Sequence, residues 1–254
     1  MTALSYLIGL LSLLISSHGS HGGGLLKESR EIGINATALA PGYTSCPQTI
    51  GANGIYQVEV PGLGDFSVYC EADIAGPGWI VVARRTNDER NFHLKWQQYK
   101  KGFGNLSGDF FIGLDKLHAI TAAQNHELYI RLENFNGQIR YARYDQFYIE
   151  NENMQYQLSK INGFSGDAGD AMTVHLGMKF TTFDRDNDLW VDGNCAAKYS
   201  GAWWHKYCVH FNAFGLYLGG DYSDELFGSG MFWKYFGGFT YSLKSIIMMI
   251  RPTA

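Results

Sequence analysis

Hydrophobic and polar residues alternate in several short stretches of the first two thirds of the chain, a pattern typical of half-buried β-strands. The predicted strands cover residues 54–60, 66–70, 79–83, 126–133, 139–147 and 156–161. Helical patterns are shorter and occupy residues 92–99 and 114–121, with a Gly-rich loop at 102–108. Because short strands dominate, we expect a compact, loop-rich fold of short strands in a mixed or antiparallel sheet.

The periodic pattern fades after residue 162 and returns only at residues 241–250, which are predicted to form a last strand. Gly, Asp, Asn and aromatic residues dominate the intervening segment. A long irregular segment inside a compact domain is usually functional or disordered, and the aromatic residues and two cysteines of this one favour function. We therefore predict a loop-rich binding subdomain at about residues 162–240.

The beginning of the chain has the pattern of a secretory signal. Residues 4–15 are apolar, which is too short for a bilayer span of about 20 residues, and small residues follow at Ser16, Ser17 and Gly19. We predict a signal peptide at residues 1–19 and a short flexible leader at 20–45, which lacks heptads and Gly-x-y repeats. The expected protein is secreted and extracellular, without membrane insertion.

Cysteine content agrees with secretion. An even number of cysteines, Cys46, Cys70, Cys195 and Cys208, is expected to pair in an oxidising compartment, and three connectivities are open. The absence of a C-x-x-C pair makes a zinc site an unfavoured alternative. Two sequons, at Asn35 and Asn105, are candidate glycosylation sites in a secreted chain.

Charge and motif content exclude two broad functions. The net charge is −4 and the sequence has no basic stripe, which argues against nucleic-acid binding. The sequence also lacks G-x-S-x-G, H-E-x-x-H and P-loop patterns, so we expect a protein that is not an enzyme.

The segment Asp184-Arg185-Asp186-Asn187-Asp188 places three carboxylates at alternating positions. Carboxylate oxygens in such a loop suit Ca²⁺, although a solvated turn is the alternative interpretation. An EF-hand is excluded, because Leu189 stands where that loop requires Gly and Cys195 where it requires Glu. The pattern therefore favours a calcium loop of another kind.

Many short motifs occur in an order that is typical of one family. They include Gly54-Ile-Tyr56, Val68-Tyr-Cys70, Trp96-x-x-Tyr99, Gly102-Phe-Gly-Asn-Leu-Ser-Gly108, Gly193-Asn-Cys-Ala196, Gly201-Ala-Trp-Trp204 and Tyr241-Ser-Leu-Lys244. Over residues 46–252 the chain resembles the fibrinogen-related domain of fibrinogen C-terminal globules, ficolins, tachylectins, angiopoietins and invertebrate fibrinogen-like secreted lectins. The resemblance implies an α+β globular domain with a central, mostly antiparallel sheet, short helices and a loop-rich calcium and ligand subdomain. It also implies the sequential disulfides Cys46–Cys70 and Cys195–Cys208.

The resemblance implies a particular calcium shell. Its carboxylates are Asp186 and Asp188, and downstream backbone carbonyls complete it. One residue more than usual separates Asp188 from Gly193, so Trp190, Asp192 and Gly193 are all candidates for the carbonyl ligands.

The resemblance also implies an acetyl-binding pocket around the second disulfide. Its candidate residues are Tyr199, Tyr207, Cys208, Val209, His210, Phe227, Gly228 and Phe239. Val209 stands where a histidine is expected, with His210 one residue later, and Phe227-Gly228 replaces the usual Tyr-Ala pair. We expect an apolar cup with fewer hydrogen-bonding groups, in which an unpaired amide would cost about 1–3 kcal/mol.

Four residues near the second disulfide allow further predictions. Trp203 and Trp204 are expected in the core because tryptophan buries a large apolar area. His205 and His210, on either side of Cys208, are candidates for a binding rim.

Two functions fit these features. The first is a secreted, calcium-dependent, lectin-like protein that binds acetylated glycans or microbial surface carbohydrates in innate defence. The alternative is an extracellular signalling or matrix protein that uses the same domain to bind a protein partner. Homo-oligomerisation through the globular domain and a monomer with a high-affinity partner both remain open.

Overall fold

The computed structural model describes residues 41–253, and a nine-stranded antiparallel sheet is their framework. In chain order the strands are β1 Gly54–Val60, β2 Gly64–Glu71, β3 Trp79–Arg85, β4 Phe103–Gly104, β5 Phe110–Phe111, β6 His126–Glu133, β7 Ile139–Ile149, β8 Leu158–Gly166, β9 Phe211–Asn212, β10 Gly220–Asp221, β11 Phe232–Trp233, β12 Tyr241–Ser242 and β13 Ser245–Pro252. The main sheet has the order β1-β2-β3-β13-β6-β7-β8, with β5 pairing to β3 and β4 to β5.

The last strand, β13, lies at the centre of the sheet between β3 and β6. Its core-facing residues are almost wholly apolar, with Ile246, Met249 and Ile250 buried. Because β13 pairs with strands more than 100 residues earlier in the chain, the sheet closes through contacts of long sequence separation, which are costly in loop entropy and form slowly.

Within residues 41–253, three short α-helices accompany the sheet: α1 Trp96–Lys101, α2 Leu114–Ala123 and α3 Cys195–Lys198. Single 3₁₀ turns cover Glu152–Met154, Thr173–His175 and Asp224–Leu226. Helix α2 packs against β7, burying Leu114, Leu117 and Ile120, whose spacing places them on one helical face. The α+β fold with a mostly antiparallel sheet is therefore confirmed.

Element boundaries differ from the prediction where local contacts override the pattern. Residues 92–95 are not helical, so helix α1 begins at Trp96 rather than at Phe92. Strand β8 begins at Leu158 rather than Tyr156, since Gln155 and Tyr156 both have positive φ, 54° and 50°, which interrupts an extended strand.

The predicted strand at 241–250 is two strands in the structure. Residues of β12 pair with β10, and β13 begins only at Ser245. Between them, Leu243 N donates to Met231 O at 2.6 Å and Lys244 N donates to Glu133 O at 2.8 Å. The backbone thus changes partners at this point, which an alternating pattern cannot reveal.

The segment between β8 and β12 is irregular, as expected, although it begins at residue 167 because β8 extends to Gly166. Buried Arg85, at the end of β3, connects this segment to the sheet by donating from Nη1 to Gly215 O at 2.8 Å and Ala213 O at 3.2 Å. Trp203 and Trp204 are fully buried, which confirms their assignment to the core.

The predicted signal peptide 1–19, the sequon at Asn35 and most of the leader 20–45 lie outside the described residues. Within the described part of the leader, Tyr43 is only 4% exposed and its hydroxyl contacts His126 Nε2 at 3.0 Å. The packed domain therefore starts before Cys46, earlier than the predicted boundary. None of the helices within residues 41–253 is long and apolar enough to cross a membrane.

Candidate calcium and ligand site

Both disulfides of the sequential pairing are present. Cys46–Cys70 joins the segment before β1 to β2, and Cys195–Cys208 joins α3 to the loop that follows Trp204. The second bond closes the irregular segment directly beside the acidic loop. That loop and the disulfide are therefore one structural unit.

The Asp188 carboxylate connects the two. Its Oδ2 accepts from Cys195 N at 2.8 Å, and its Oδ1 accepts from Trp190 N at 2.9 Å. Asp186 Oδ1 in turn accepts from Asp188 N at 3.1 Å. Burial raises the pKa of Asp188 and the Asp186 carboxylate raises it further, against the opposing effect of the Cys195 and Trp190 hydrogen bonds. Two neighbouring carboxylates held in this way form an anionic donor set of the kind that Ca²⁺ accepts.

Asp184, the third carboxylate of the loop, has a different role. Its Oδ1 accepts from Trp96 N at 2.9 Å, at the first residue of α1, and from the Thr182 hydroxyl at 2.7 Å. It therefore caps a helix that lies far away in sequence. Of the three carboxylates, the resemblance assigns only Asp186 and Asp188 to the metal, and the contact with Trp96 gives Asp184 a separate role.

The predicted carbonyl ligands lie in a tight turn. Gly193 N donates to Trp190 O at 3.2 Å, and Val191 at the tip is 95% exposed. Asp192 is exposed, and a Cβ added to Gly193 would lie 2.7 Å from the Trp190 indole. Within residues 41–253 no three His, Cys, Asp or Glu side chains converge as a metal cluster. A calcium ion would thus rest on Asp186, Asp188 and backbone or water oxygens, which fits its preference for oxygen ligands.

A small cup of about 210 Å³ lies on the disulfide and is lined by Trp190, Tyr199, Tyr207 and Cys208. The prediction placed Trp190 in the metal shell through its carbonyl. Its indole forms a wall of the cup, a role that the local pattern did not signal. The structure brings the metal candidates and the cup together, with Trp190 common to both.

Other predicted pocket residues pack beside the cup. Gly228 has φ +74°, and a Cβ there would lie 2.9 Å from the Tyr199 ring and 3.1 Å from Val209. Glycine is required at this position both by the conformation and by the close approach. Phe239 stacks on Phe227 with ring centroids 4.9 Å apart. Val209 and Phe239 belong to the same apolar cluster as the disulfide.

The two histidines do not line the cup. His205 is fully buried, and its Nε2 lies 2.8 Å from Gly201 O, so its assignment to a rim was wrong. Burial lowers the pKa of His205 to about 4. The His210 ring lies 6.4 Å from that of buried His175, and it is absent from the residues that line the cup. Burial, then the Lys234 and Lys206 charges, lower its pKa.

Exposed apolar side chains surround the cup. Leu189 N donates to Lys206 O at 3.0 Å, which brings residues 189–191 beside Tyr207. Tyr207 is 74% exposed and Phe227 is 48% exposed. We call this surface the disulfide face, and its exposed members are Leu189, Val191, Tyr207, Leu226 and Phe227.

The candidate glycosylation site at Asn105 is accessible. Asn105 is exposed in the turn between β4 and β5, where its Oδ1 accepts from Ser107 N at 2.9 Å. Glycosylation there stays a prediction.

An antiparallel sheet with its last strand at the centre, joined to a disulfide-closed acidic loop, defines the fibrinogen-like globe class. The profile of the family "Fibrinogen beta and gamma chains, C-terminal globular domain" matches residues 46–253, and the chain belongs to this family.

Its relatives include a mouse angiopoietin-related protein 6, which is 37% identical over 213 residues, covering 82% of this chain and 46% of the relative. The chain thus spans about half the length of this curated relative. Among solved structures, the fibrinogen-like globe domain of human ANGPTL2 is 37% identical with a TM-score of 0.77, covering 80% of this chain and 93% of that domain. Lamprey fibrin D-dimer, solved with the peptide ligand Gly-His-Arg-Pro-amide, is 31% identical with a TM-score of 0.73, covering 79% and 69%.

Proposed function

We propose that this chain is an extracellular recognition domain that binds a protein partner through the disulfide face. The observation that carries this proposal is the group of apolar side chains exposed around the cup, with Val191 95% and Tyr207 74% exposed. Contiguous exposed apolar surface is costly in a soluble protein and commonly marks an interaction site. Aromatic side chains at the centre of such a surface are frequent energetic anchors.

The chemistry of the cup favours a protein over an acetylated glycan. Val209 replaces the expected histidine and is buried beneath the cup, while His210 lies beside His175. An acetyl methyl would find apolar contacts, but its amide would find few partners, and an unpaired amide weakens binding. The relatives agree, since they include an angiopoietin-related protein and a fibrin fragment solved with a peptide ligand. The proposed action is binding rather than catalysis.

Calcium belongs to the proposal as a structural ion. Asp186 and Asp188 would hold it through their carboxylates, and the ion would neutralise their repulsion and fix the loop that carries Trp190 and Leu189. Two disulfides support the extracellular placement, because such bonds persist in oxidising compartments. Self-association through the globular domain would add avidity to a weak single contact.

The test is a binding screen of the secreted chain, in calcium, against extracellular ectodomains and against an N-acetylated glycan array. We expect saturable binding to at least one ectodomain, with affinity reduced about tenfold or more in Tyr207→Ser, because truncating a central anchor costs more than 1 kcal/mol. Tyr235→Ser is the matched control, because Tyr235 is also an exposed tyrosine, 52% accessible, but lies outside the disulfide face.

Glycan binding that is lost in Tyr207→Ser, with no ectodomain bound, would replace this proposal by the lectin-like function. Ectodomain binding that Tyr207→Ser and Tyr235→Ser weaken equally would remove the disulfide face from the site. Titration with N-acetylglucosamine in calcium gives an independent measure of the cup. We expect no saturation at about 10 mM sugar, which means a binding free energy weaker than the about −4 kcal/mol of a millimolar Kd.

A further inference from the structure

A second cleft lies on the main sheet, apart from the disulfide face. It has a volume of about 280 Å³, and its walls include Trp79 of β3, Tyr129 of β6, Tyr141 and Arg143 of β7, Ser165 of β8 and Arg251 of β13. The register pairs Tyr129 with Arg143 and Arg143 with Ser165, so these side chains lie side by side on one face of the sheet. We call it the arginine cleft.

Aromatic rings form a continuous wall of the arginine cleft. Trp79 packs edge-on to Tyr129 with centroids 5.7 Å apart, and Tyr129 stacks on Tyr141 at 5.2 Å with the rings 4° from parallel. In the part of the chain that the structure describes, the hydroxyls of Tyr129, Tyr141 and Ser165 have no protein hydrogen-bond partner. Rings with adjacent free hydroxyls suit a ligand that is apolar on one face and rich in hydroxyl groups at its edges.

An ion-paired cluster forms the base of the cleft. Glu127, whose side chain is 4% exposed, accepts from Arg251 Nε at 2.8 Å and from Arg143 Nε at 2.5 Å. Two guanidinium groups thus share one carboxylate. The exposed carboxylate of Asp167 also lies near the tyrosines, where its Oδ1 accepts from Tyr141 N at 2.9 Å.

The two arginines differ in what they have left to donate. Arg251 also donates from Nη1 to Pro77 O at 3.1 Å and lies 4.4 Å from the Trp79 ring centre, so it is committed to the protein. Arg143 uses only Nε, and among the described residues neither of its Nη groups has a protein acceptor. Its side chain is 42% exposed. Glu127 therefore holds Arg143 in place and leaves the Nη groups of Arg143 available for a bidentate contact with the carboxylate of a ligand.

We propose that the arginine cleft binds a carboxylated pyranose, such as the hexuronate unit of an extracellular glycan. The carboxylate bonds to the two Nη groups of Arg143, the ring packs on the aromatic wall, and the ring hydroxyls bond to Tyr129, Tyr141 and Ser165. The volume accommodates one sugar unit. The hydroxyls of a sugar can bond to these three protein hydroxyls, whereas an apolar acid has no groups that could do so, which favours the sugar.

Hyaluronan tetrasaccharide, which carries carboxylates and no sulfate, is the probe for titration against the secreted chain. Its carboxyl-reduced form is the ligand control. We expect saturable binding of the intact probe alone, with affinity reduced about tenfold or more in Arg143→Ala, as for a lost charged hydrogen bond. Arg143→Lys should lose part of that affinity, because it keeps the charge but not the planar fork.

Arg140→Ala is the matched protein control, because Arg140 lies on the same strand but outside the arginine cleft, over the Phe236 ring. Melting temperatures verify that each variant folds; Glu127 keeps Arg251 as its partner in the Arg143 variants. Tyr207→Ser should leave hyaluronan binding unchanged, which separates this proposal from that for the disulfide face.

Three results would overturn the proposal. They are absence of hyaluronan binding, equal binding of the carboxyl-reduced probe, and equal losses in Arg143→Ala and Arg140→Ala. Tighter Arg143-dependent binding of N-acetyl-tyrosine than of methyl glucuronide would assign the cleft to a peptide carboxylate instead.

Discussion

Asp188 Oδ2 accepts a hydrogen bond from Cys195 N at 2.8 Å, so one candidate calcium carboxylate is attached directly to the backbone of the second disulfide. Its other oxygen accepts from the backbone N of Trp190, whose indole lines the cup. Changes at the acidic loop should therefore reach the cup through two short contacts.

The first prediction concerns calcium. Asp186→Asn and Asp188→Asn should each abolish the rise in melting temperature on adding Ca²⁺, because two carboxylates supply the charge of the proposed site. Differential scanning calorimetry with Ca²⁺ and with Mg²⁺ measures this effect. An unchanged calcium shift in both variants would rule out this loop as the site.

The same pair makes a prediction for the calcium-free protein. The pKa of Asp188 is raised in the folded state, by burial and then by Asp186, so its ionisation destabilises the fold above its unfolded pKa. Asp186→Asn removes the like charge, and we expect it to stabilise the calcium-free protein at pH 7. Urea unfolding in a chelator tests this, and equal or lower stability of the variant would contradict it.

Asp184→Ala should lower the free energy of unfolding without changing calcium affinity. Asp184 bonds to Trp96 N at the start of α1, and loss of a helix cap costs about 0.5–2 kcal/mol. Urea unfolding gives the stability, and calcium titration by calorimetry gives the affinity. A calcium affinity that falls as much as in Asp188→Asn would place Asp184 in the metal shell.

Acid should destabilise the domain through buried histidines. Burial lowers the pKa of His126 to about 4 and of His175 to about 3, both below the ordinary value of 6.5. At a pH between these lowered pKa values and 6.5, the unfolded chain binds more protons than the folded chain. The free energy of unfolding therefore falls as the pH drops below 6.5. Each histidine contributes at most about 1.4 kcal/mol per pH unit.

Urea midpoints between pH 7.5 and 5 measure this loss, and His126→Gln should reduce its slope. His93→Gln is the control, because His93 is a half-buried histidine in a different place, stacked on Phe183 with ring centroids 4.5 Å apart. A slope that is the same in His126→Gln and in the parent protein would assign the acid sensitivity to other groups.

The two disulfides should differ in their effect on calcium. Removing either by paired Cys→Ala changes should cost about 3 kcal/mol, by the usual loop-entropy estimate. Only the loss of Cys195–Cys208 should also weaken calcium binding, because Asp188 bonds to Cys195 N. Thermal melts with and without Ca²⁺ test both statements, and equal calcium shifts in the two variants would contradict the second.

The sequence by itself determined the strands with strong alternation, such as β1 and β6, because burial of one sheet face requires that period. It also indicated the family, through motifs whose order is preserved along the chain. Its family resemblance supplied the disulfide pairing that the cysteine count alone left open among three connectivities.

Only the tertiary structure decided which residues meet. Asp184 became a helix cap because Trp96, 88 residues earlier, presents its N–H there. His205 left the predicted rim because the backbone buries it against Gly201. The arginine cleft escaped detection because its side chains come from five strands, and their alignment depends on a register that β13 completes at the end of the chain. Local patterns report which face of a strand is buried, whereas long-range pairing decides which side chains become neighbours.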